Sequence, residues 1–308
     1  MLLEKLVRNL AVRVEPFAIC EVAAGWRLSL PGPPDVMLHF VLRGRGVIRD
    51  AQGGQHRIAA SCLAVVPCGA AHALEGGAAI REERRVNAAP SGPPARRIVA
   101  GSPSSSDLVV ACGLIHAQYR QSLGLFDHLR HVMVADLSAV PQVRGVFEEI
   151  LREQTEDPPA TAVMTGSLMT QCLVHMLRHL LAQGQHDLPW LKVLEDPQLA
   201  PAIDLILDHP GFDHSVTSLA EAARMSRSAF AQRFAAAFGR PPMNLVHHVR
   251  MQRAAELLQY GALSIDQVAG HIGFASRSHF SRAFKRHTGL PPSVFQHAAR
   301  DGDPSVAV

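Results

Sequence analysis

The sequence has no apolar run near the roughly 18 residues that a membrane-spanning helix needs, so no span is expected. Its first residues, Met1-Leu2-Leu3-Glu4-Lys5-Leu6-Val7-Arg8, are too charged for a secretory signal and read as an amphipathic opening helix. A cytoplasmic location is the expectation. The five cysteines (Cys20, Cys62, Cys68, Cys112 and Cys172) are odd in number and show no CxxC spacing. That argues against a disulfide framework and a structural zinc site, and for reduced, mostly buried thiols. Neither a Ser/His/Asp arrangement nor a phosphate-loop motif is present.

Net charge is also scarce, at +3, but it is unevenly placed. From Gln198 to Arg300 there are one Lys and ten Arg against six Asp and Glu, an excess of +5 that leaves −2 on the rest. Eight of the seventeen His fall in that same stretch. A mildly basic module joined to a slightly acidic one suits a DNA-binding domain with a non-binding partner.

What the chain does contain is one pattern used twice, about fifty residues apart. The first copy reads Leu219-Ala220-Glu221-Ala222-Ala223-Arg224-Met225-Ser226-Arg227-Ser228-Ala229-Phe230, then Phe234, Phe238-Gly239 and Pro241-Pro242. The second reads Val268-Ala269-Gly270-His271-Ile272-Gly273-Phe274, Ser276-Arg277-Ser278-His279-Phe280, Phe284, Gly289 and Pro291-Pro292, with Ala275 extra in its turn. Each copy is a short helix, a tight turn and a second helix, expected over 217–239 and 266–289. This arrangement lays a helix in the major groove of DNA. A central helix from about Met243 to Tyr260 joins the two.

The second helix of each copy is two-faced. Phe230, Phe234 and Phe238, and in the other copy Phe280, Ala283 and Phe284, recur at helical spacing and belong to a core. The opposite faces differ: Ser228, Ala231, Gln232 and Ala235 in one, Ser278, Ser281, Arg282 and Lys285 in the other. Gln suits a bidentate pair with adenine, Ala a thymine methyl and Arg the O6/N7 edge of guanine, whereas Lys more often meets phosphate. Arg227 and Arg277 begin the two helices, where backbone N–H groups already favour phosphate. Two unlike reading helices imply an asymmetric element spanning two adjacent major grooves.

From about Gln198 to Gln296 the chain resembles the AraC/XylS family of bacterial transcription regulators. The residues that carry the likeness are Ser218-Leu219-Ala220, Met225-Ser226-Arg227-Ser228-Ala229-Phe230, Arg233-Phe234, Gly239, Pro241-Pro242, Ile265, Val268-Ala269, Gly273-Phe274, Ser278-His279-Phe280, Phe284-Lys285, Gly289 and Pro291-Pro292. The resemblance implies two helix-turn-helix subdomains on one long helix, double-stranded promoter DNA and RNA polymerase as partners, and a role as activator.

Residues from about 14 to 85 alternate short apolar runs with turn residues, as in a small barrel or sandwich. The runs include Val36–Leu42, Gly46-Val47-Ile48, His56-Arg57-Ile58 and Cys62–Pro67, separated by Pro31-Gly32-Pro33-Pro34, Arg43-Gly44-Arg45-Gly46 and Gln52-Gly53-Gly54. A Pro/Gly/Ser-rich loop is expected from Ala88 to Ser106, then one more buried strand over Leu108–Ile115. From Pro141 the period turns helical, with Val143, Val146, Phe147 and Ile150 on one face of a helix that ends before Asp157-Pro158-Pro159. A longer helix, Ala160 to Gln183, carries Leu168, Cys172, Met176 and Leu180 at spacing four. That stripe either packs inside its own domain or pairs with a second chain as a homodimer. A loop from Gly184 to Pro201 and a short tail after Arg300 complete the chain. The expectation is a multidomain α+β protein: a sensor barrel over 1–100, a last strand and a helical linker and dimerisation region over 101–196, and an all-α DNA-binding domain over 197–300.

The N-terminal part resembles the cupin-type sensor domains that precede such DNA-binding domains. Pro67, Gly69 and His72 match the PxGxxH motif, while of the other cupin motif only His39 is present and Arg43 stands near the place of its carboxylate. Two His fall short of the three or four ligands a zinc or iron site wants, so neither metal nor cofactor is expected. A pocket inside the barrel, with Arg43, His39 and His72 anchoring an anionic small-molecule effector, is one reading. Another is a thiol switch, Cys68 activated beside His72 and resolved by Cys20 or Cys62. A cupin-type metal-dependent enzyme fused to a DNA-binding domain is the alternative function; it would need the complete metal site, so the expectation is a non-enzyme.

Overall fold

The protein is described by a computed structural model over residues 2–77, 79–89, 96–102, 106–119, 123–127, 129–184, 188, 196–260 and 263–300. The chain divides into two compact units, Met1–Tyr119 with Gly124–Leu188, and Pro189–Val308 with Arg120–Leu123. The first unit begins with helix α1 (Leu2–Arg8). Its strands are β1 (Leu10–Val14), β2 (Ala18–Ala23), β3 (Trp26–Leu30), β4 (Val36–Asp50), β5 (Gln55–Ala59), β6 (Cys62–Val66), β7 (His72–Gly76), β8 (Glu82–Arg85), β9 (Arg97–Ala100), β10 (Ser106–Tyr119), β11 (Leu123–Gly124) and β12 (Met133–Asp136). Helices α2 (Pro141–Glu156) and α3 (Thr161–Ala182) follow.

Strand β4 organises the barrel because it is long enough to serve two ladders. Its first half pairs with β10 and β6, its second half with β5 and β7. Between the halves lies a β-bulge: Val41 faces Val110 and Arg43 faces Val109, so Leu42 is the extra residue. A bulge inverts which alternate residues point inward. Before it, Met37 and Val41 lie in the barrel core; after it, Ile48 does. Gly44 completes the bend at φ +88°, where a Cβ would stand 1.6 Å from the Asp107 carbonyl oxygen. The segment Arg43-Gly44-Arg45-Gly46, expected as a turn between strands, is therefore a bend within one strand.

Four short strands escape a reading by local pattern, the shortest being β11 against β10. β9 falls inside the stretch expected as a loop and lies parallel to β2, with Ile98 opposite Cys20. β1 pairs with β10 and β12 with β6. Residues 90–95 and 103–105 of the expected loop, 185–187 and 189–195 of the next one, and the tail after Arg300 lie outside the described residues.

Helices α2 and α3 cover the outer face of the barrel. Phe147 on α2 stacks on Phe40 of β4, ring centroids 4.1 Å apart, and meets Phe17 edge-on at 5.4 Å. The buried Gln154 side chain accepts the Phe17 N–H at 2.9 Å, which satisfies a donor that the helix shields from water. On α3, Met169, Cys172, Leu173, Met176, Leu177 and Leu180 are all buried. Of the two readings of the α3 stripe, packing within its own unit describes Cys172, Met176 and Leu180, while Leu168 is half-buried and Val163 and Met164 are exposed.

The second unit is helical: α4 (Ala200–Asp208), α5 (Val216–Ala222), α6 (Arg227–Phe238), α7 (Pro242–Tyr260), α8 (Ile265–His271), α9 (Arg277–Thr288) and α10 (Pro292–Arg300). Serine caps start the four helix-turn-helix elements. Ser215, Ser226, Ser264 and Ser276 each accept a backbone N–H at the third helical position. Gly239 and Gly289, both left-handed, end the second helices. The tight turns also correspond, with Arg224 at φ +53° in one copy and Gly273 at φ +78° in the other. Only the second demands glycine for space, since a Cβ there would meet the Gly211 carbonyl oxygen at 2.5 Å.

Candidate functional site

Each candidate reading helix is held from beneath by its phenylalanines. Phe230, Phe234 and Phe238 of α6 are buried, the last two stacked at 4.5 Å. Phe280 and Phe284 of α9 sit in one core with Met251, Ala254 and Leu258 of α7, Val268 of α8 and Phe295 of α10. Burial of these faces leaves the opposite ones in solvent. Arg227, Ser228 and Gln232 are exposed on α6 and Ala231 is half-buried; Arg277, Ser278, Arg282 and Lys285 are exposed on α9 and Ser281 is half-buried. The nine candidate readers therefore fall on two surface faces of one unit.

The matched arginines differ in their surroundings. Arg277 donates to Asp266 on α8 at 3.0 Å, whereas Arg227 has no charged partner among the described residues. Arg233, next to Gln232, is tied to Asp196 and Gln198, both at 2.6 Å, which braces α6 against the segment before α4. Arg250 of α7 donates to the carbonyls of Pro210 and Phe212, at 2.8 and 2.6 Å, and fixes the loop that enters α5. Between α7 and α9 lies a cleft of about 610 Å³ lined by Arg240, Asn244, His247, His279, Arg282 and Arg286, with no carboxylate among its lining residues. The sequence reading missed it apart from Arg282; its trace was the crowding of His and Arg in this third of the chain.

In the barrel, the structure separates the four residues proposed for the sensor. His39 and His72 meet in the core, Nε2 to Nε2 at 2.7 Å. Cys112 lies 3.0 Å from Nδ1 of His39, and Nδ1 of His72 lies 3.1 Å from the Ala70 carbonyl. Those partners assign the protons. His72 donates from Nδ1 to Ala70, so its Nε2 accepts from His39, whose Nδ1 in turn accepts the Cys112 thiol proton. Burial, then the neighbouring His72, holds His39 well below the usual imidazole range, and burial brings His72 down to about 4. Burial, then Cys20, pushes the Cys112 thiol well up. The chain is neutral and each proton has an acceptor.

Arg43 does not join them. The bulge at Leu42 turns its side chain outward, and it is exposed. Cys68 is exposed too, its thiol donating to the Pro34 carbonyl at 3.2 Å. Its thiol is shifted upward, by partial desolvation and then by Asp35 and Asp127, opposite to the activation expected beside His72. The proposed resolving thiols Cys20 and Cys62 are buried in the barrel core. Buried apolar side chains face the barrel interior, among them Met37, Val41, Ile48, Leu74, Val110 and Leu114.

A cupin barrel raises the question of a metal ion, and the donors here do not fit one. The two imidazoles spend their facing nitrogens on each other, and Cys112 lies on the far nitrogen of His39, so the three do not converge on a point. Among the described residues no group of three or more His, Cys, Asp or Glu is placed to hold a metal. No helix among them is long and apolar enough to cross a membrane.

Comparison with known proteins agrees with the two-part build. A family profile described as cupin matches residues 2–182, and one described as a helix-turn-helix domain matches residues 219–298. The chain belongs to the AraC-type family, a cupin domain followed by a helix-turn-helix domain. It is 33% identical over 163 residues to an AraC-like transcription regulator of Streptomyces lividans, covering 53% of this chain and 54% of that one. It is 30% identical over 190 residues to an HTH-type transcriptional regulator of Haemophilus influenzae, covering 62% and 63%. The match thus spans less than two thirds of either relative. Against the HTH-type transcriptional regulator AlkR of Acinetobacter baylyi it is 23% identical over 302 residues, covering 96% of this chain and 98% of that protein.

Proposed function

We propose that the chain is a sequence-specific DNA-binding regulator of transcription, and a binding protein rather than an enzyme. The observation that carries this reading is the pair of unlike exposed faces, one around Gln232 and one around Arg282, each fixed on a phenylalanine core and both built on α7. At 19 residues α7 is roughly 28 Å long, close to the roughly 34 Å between successive turns of a major groove. Gln232 and Ala231 suit an A·T-rich half, Arg282 a guanine. Arg227, Arg277, Lys285 and the basic cleft between α7 and α9 supply phosphate contacts. The reading extends to a cytoplasmic homodimer that recruits RNA polymerase as an activator and responds to a small molecule through the barrel unit. Relatives described as transcriptional activators support the activator part of that reading.

The test is to incubate the full chain with sheared genomic DNA, sequence what it retains and footprint the enriched sites. The expected result is a recurrent asymmetric motif protected over two adjacent major grooves, with two copies of the motif per footprint for a dimer. Retention of all fragments in proportion to length, without an enriched motif, would overturn the reading.

A further inference from the structure

We propose that a cleft on the outer face of the barrel, bounded by the β4–β5 hairpin, β12 and the C-terminal end of α3, binds a small organic carboxylate with an apolar body. The cleft has a volume of about 920 Å³ and lies wholly within the first unit. Pockets that bury small molecules run from roughly 300 to 1,000 Å³. Val47, Ala59 and Val134 give it an apolar floor, Arg45 and Arg57 stand on the hairpin, and His179 closes it from α3.

The two arginines point to the ligand's charge. Arg45 pairs with Ala59 and Val47 with Arg57, so the guanidiniums lie on one face, diagonal across two adjacent strands. Diagonal neighbours stand about 7–8 Å apart at their Cα atoms, close enough for two long side chains to reach one group and for their charges to repel. Neither guanidinium has an ion-pair or hydrogen-bond partner among the described residues. The barrel treats other arginines differently: Arg27 and Arg49 share the buried Glu75, and Arg97 meets Glu21. The one carboxylate in the cleft, Asp136, accepts the Ser138 N–H at 3.0 Å. Two unpaired guanidiniums beside an apolar floor match a carboxylate head and an apolar tail, since the planar fork of donors fits carboxylate geometry.

The bulge at Leu42 is what makes the site. It turns Arg45 and Val47 outward with Arg43, so the anionic ligand is held outside the barrel and not beside His39. The proposal rests on the regulator reading for its consequence: an occupant would bridge the hairpin to α3, the last helix described before the second unit.

Calorimetric titration of the full chain with benzoate and with octanoate tests it, with benzamide and octan-1-ol as neutral counterparts. The expected result is saturable binding of at least one acid, one per chain, at least tenfold tighter than its neutral counterpart. Which acid binds tells an aromatic from an aliphatic tail. R45A and R57A should each weaken it at least tenfold, and R43A, on the same strand face but outside the cleft, should leave it unchanged. No saturable binding of either acid, or binding unaltered in the R45A/R57A double variant, would overturn the site. Circular dichroism and DNA binding of the same preparations separate the two claims. Lost carboxylate binding with intact DNA binding in the unaltered chain overturns the site alone; carboxylate binding as expected without any DNA binding supports the site and overturns the regulator reading.

Discussion

His39, His72 and Cys112 show how burial sets the charge state of residues that a motif would assign to a metal. Among the described residues no carboxylate is hydrogen-bonded to either imidazole, so both histidines stay neutral and the protons run from the thiol to the Ala70 carbonyl. This carries a pH dependence. In the unfolded chain His72 titrates near 6.5, in the folded one near 4. Below 6.5 the unfolded state binds more protons, so stability is full above that pH and is lost as pH falls toward 4. The whole shift is worth up to about 3 kcal/mol. Thermal unfolding of the first unit should show its midpoint falling between pH 6.5 and 4.5. The variant His72→Gln should start lower at pH 7.5 and fall less steeply; equal slopes for both proteins would refute this origin. Arg43 teaches the complementary lesson. Strict alternation along Met37, His39, Val41 and Arg43 places it inside, and only the extra residue at Leu42 reveals that it is not.

Strands and helices differ in how much of themselves they write into local sequence. For the helices nearly everything is local: serine caps, phenylalanines at spacing four and glycine stops. The central helix expected from Met243 to Tyr260 runs Pro242–Tyr260, and the one expected from Ala160 to Gln183 runs Thr161–Ala182. The barrel depends on partners far along the chain. β9 has four residues in a stretch whose composition says loop, and it forms because β2 offers an edge. The bulge in β4 left one local mark, Gly44, which reads equally well as a turn. Its role is measurable against a second glycine. Gly44→Ala puts a Cβ onto the Asp107 carbonyl at a positive φ and should cost roughly 3 kcal/mol or more. Gly145→Ala, in the exposed middle of α2 with nothing within 4 Å, should stabilise by about 0.5–1 kcal/mol. Urea unfolding of the first unit reads both; shifts of the same sign would contradict the place given to the bulge.

On the scale of the molecule, the basic stretch from Gln198 to Arg300 falls within the helical unit. The exposed faces of α6 and α9 were legible because a phenylalanine stripe on one side of a helix leaves its other side no choice but solvent. The carboxylate cleft was not, because it joins β4, β5, β12 and α3, which only the fold brings together. The function proposed for the second unit turns on the difference between its copies, and selection of binding sites from random duplex DNA measures that difference. The unaltered chain should enrich an asymmetric element with two unlike halves about one helical turn apart. Gln232→Arg should shift preference from adenine to guanine in one half and leave the other half as it was. A change in both halves, or an equal loss of affinity on every sequence, would show that Gln232 reads no base and that the duplication does not build an asymmetric reader.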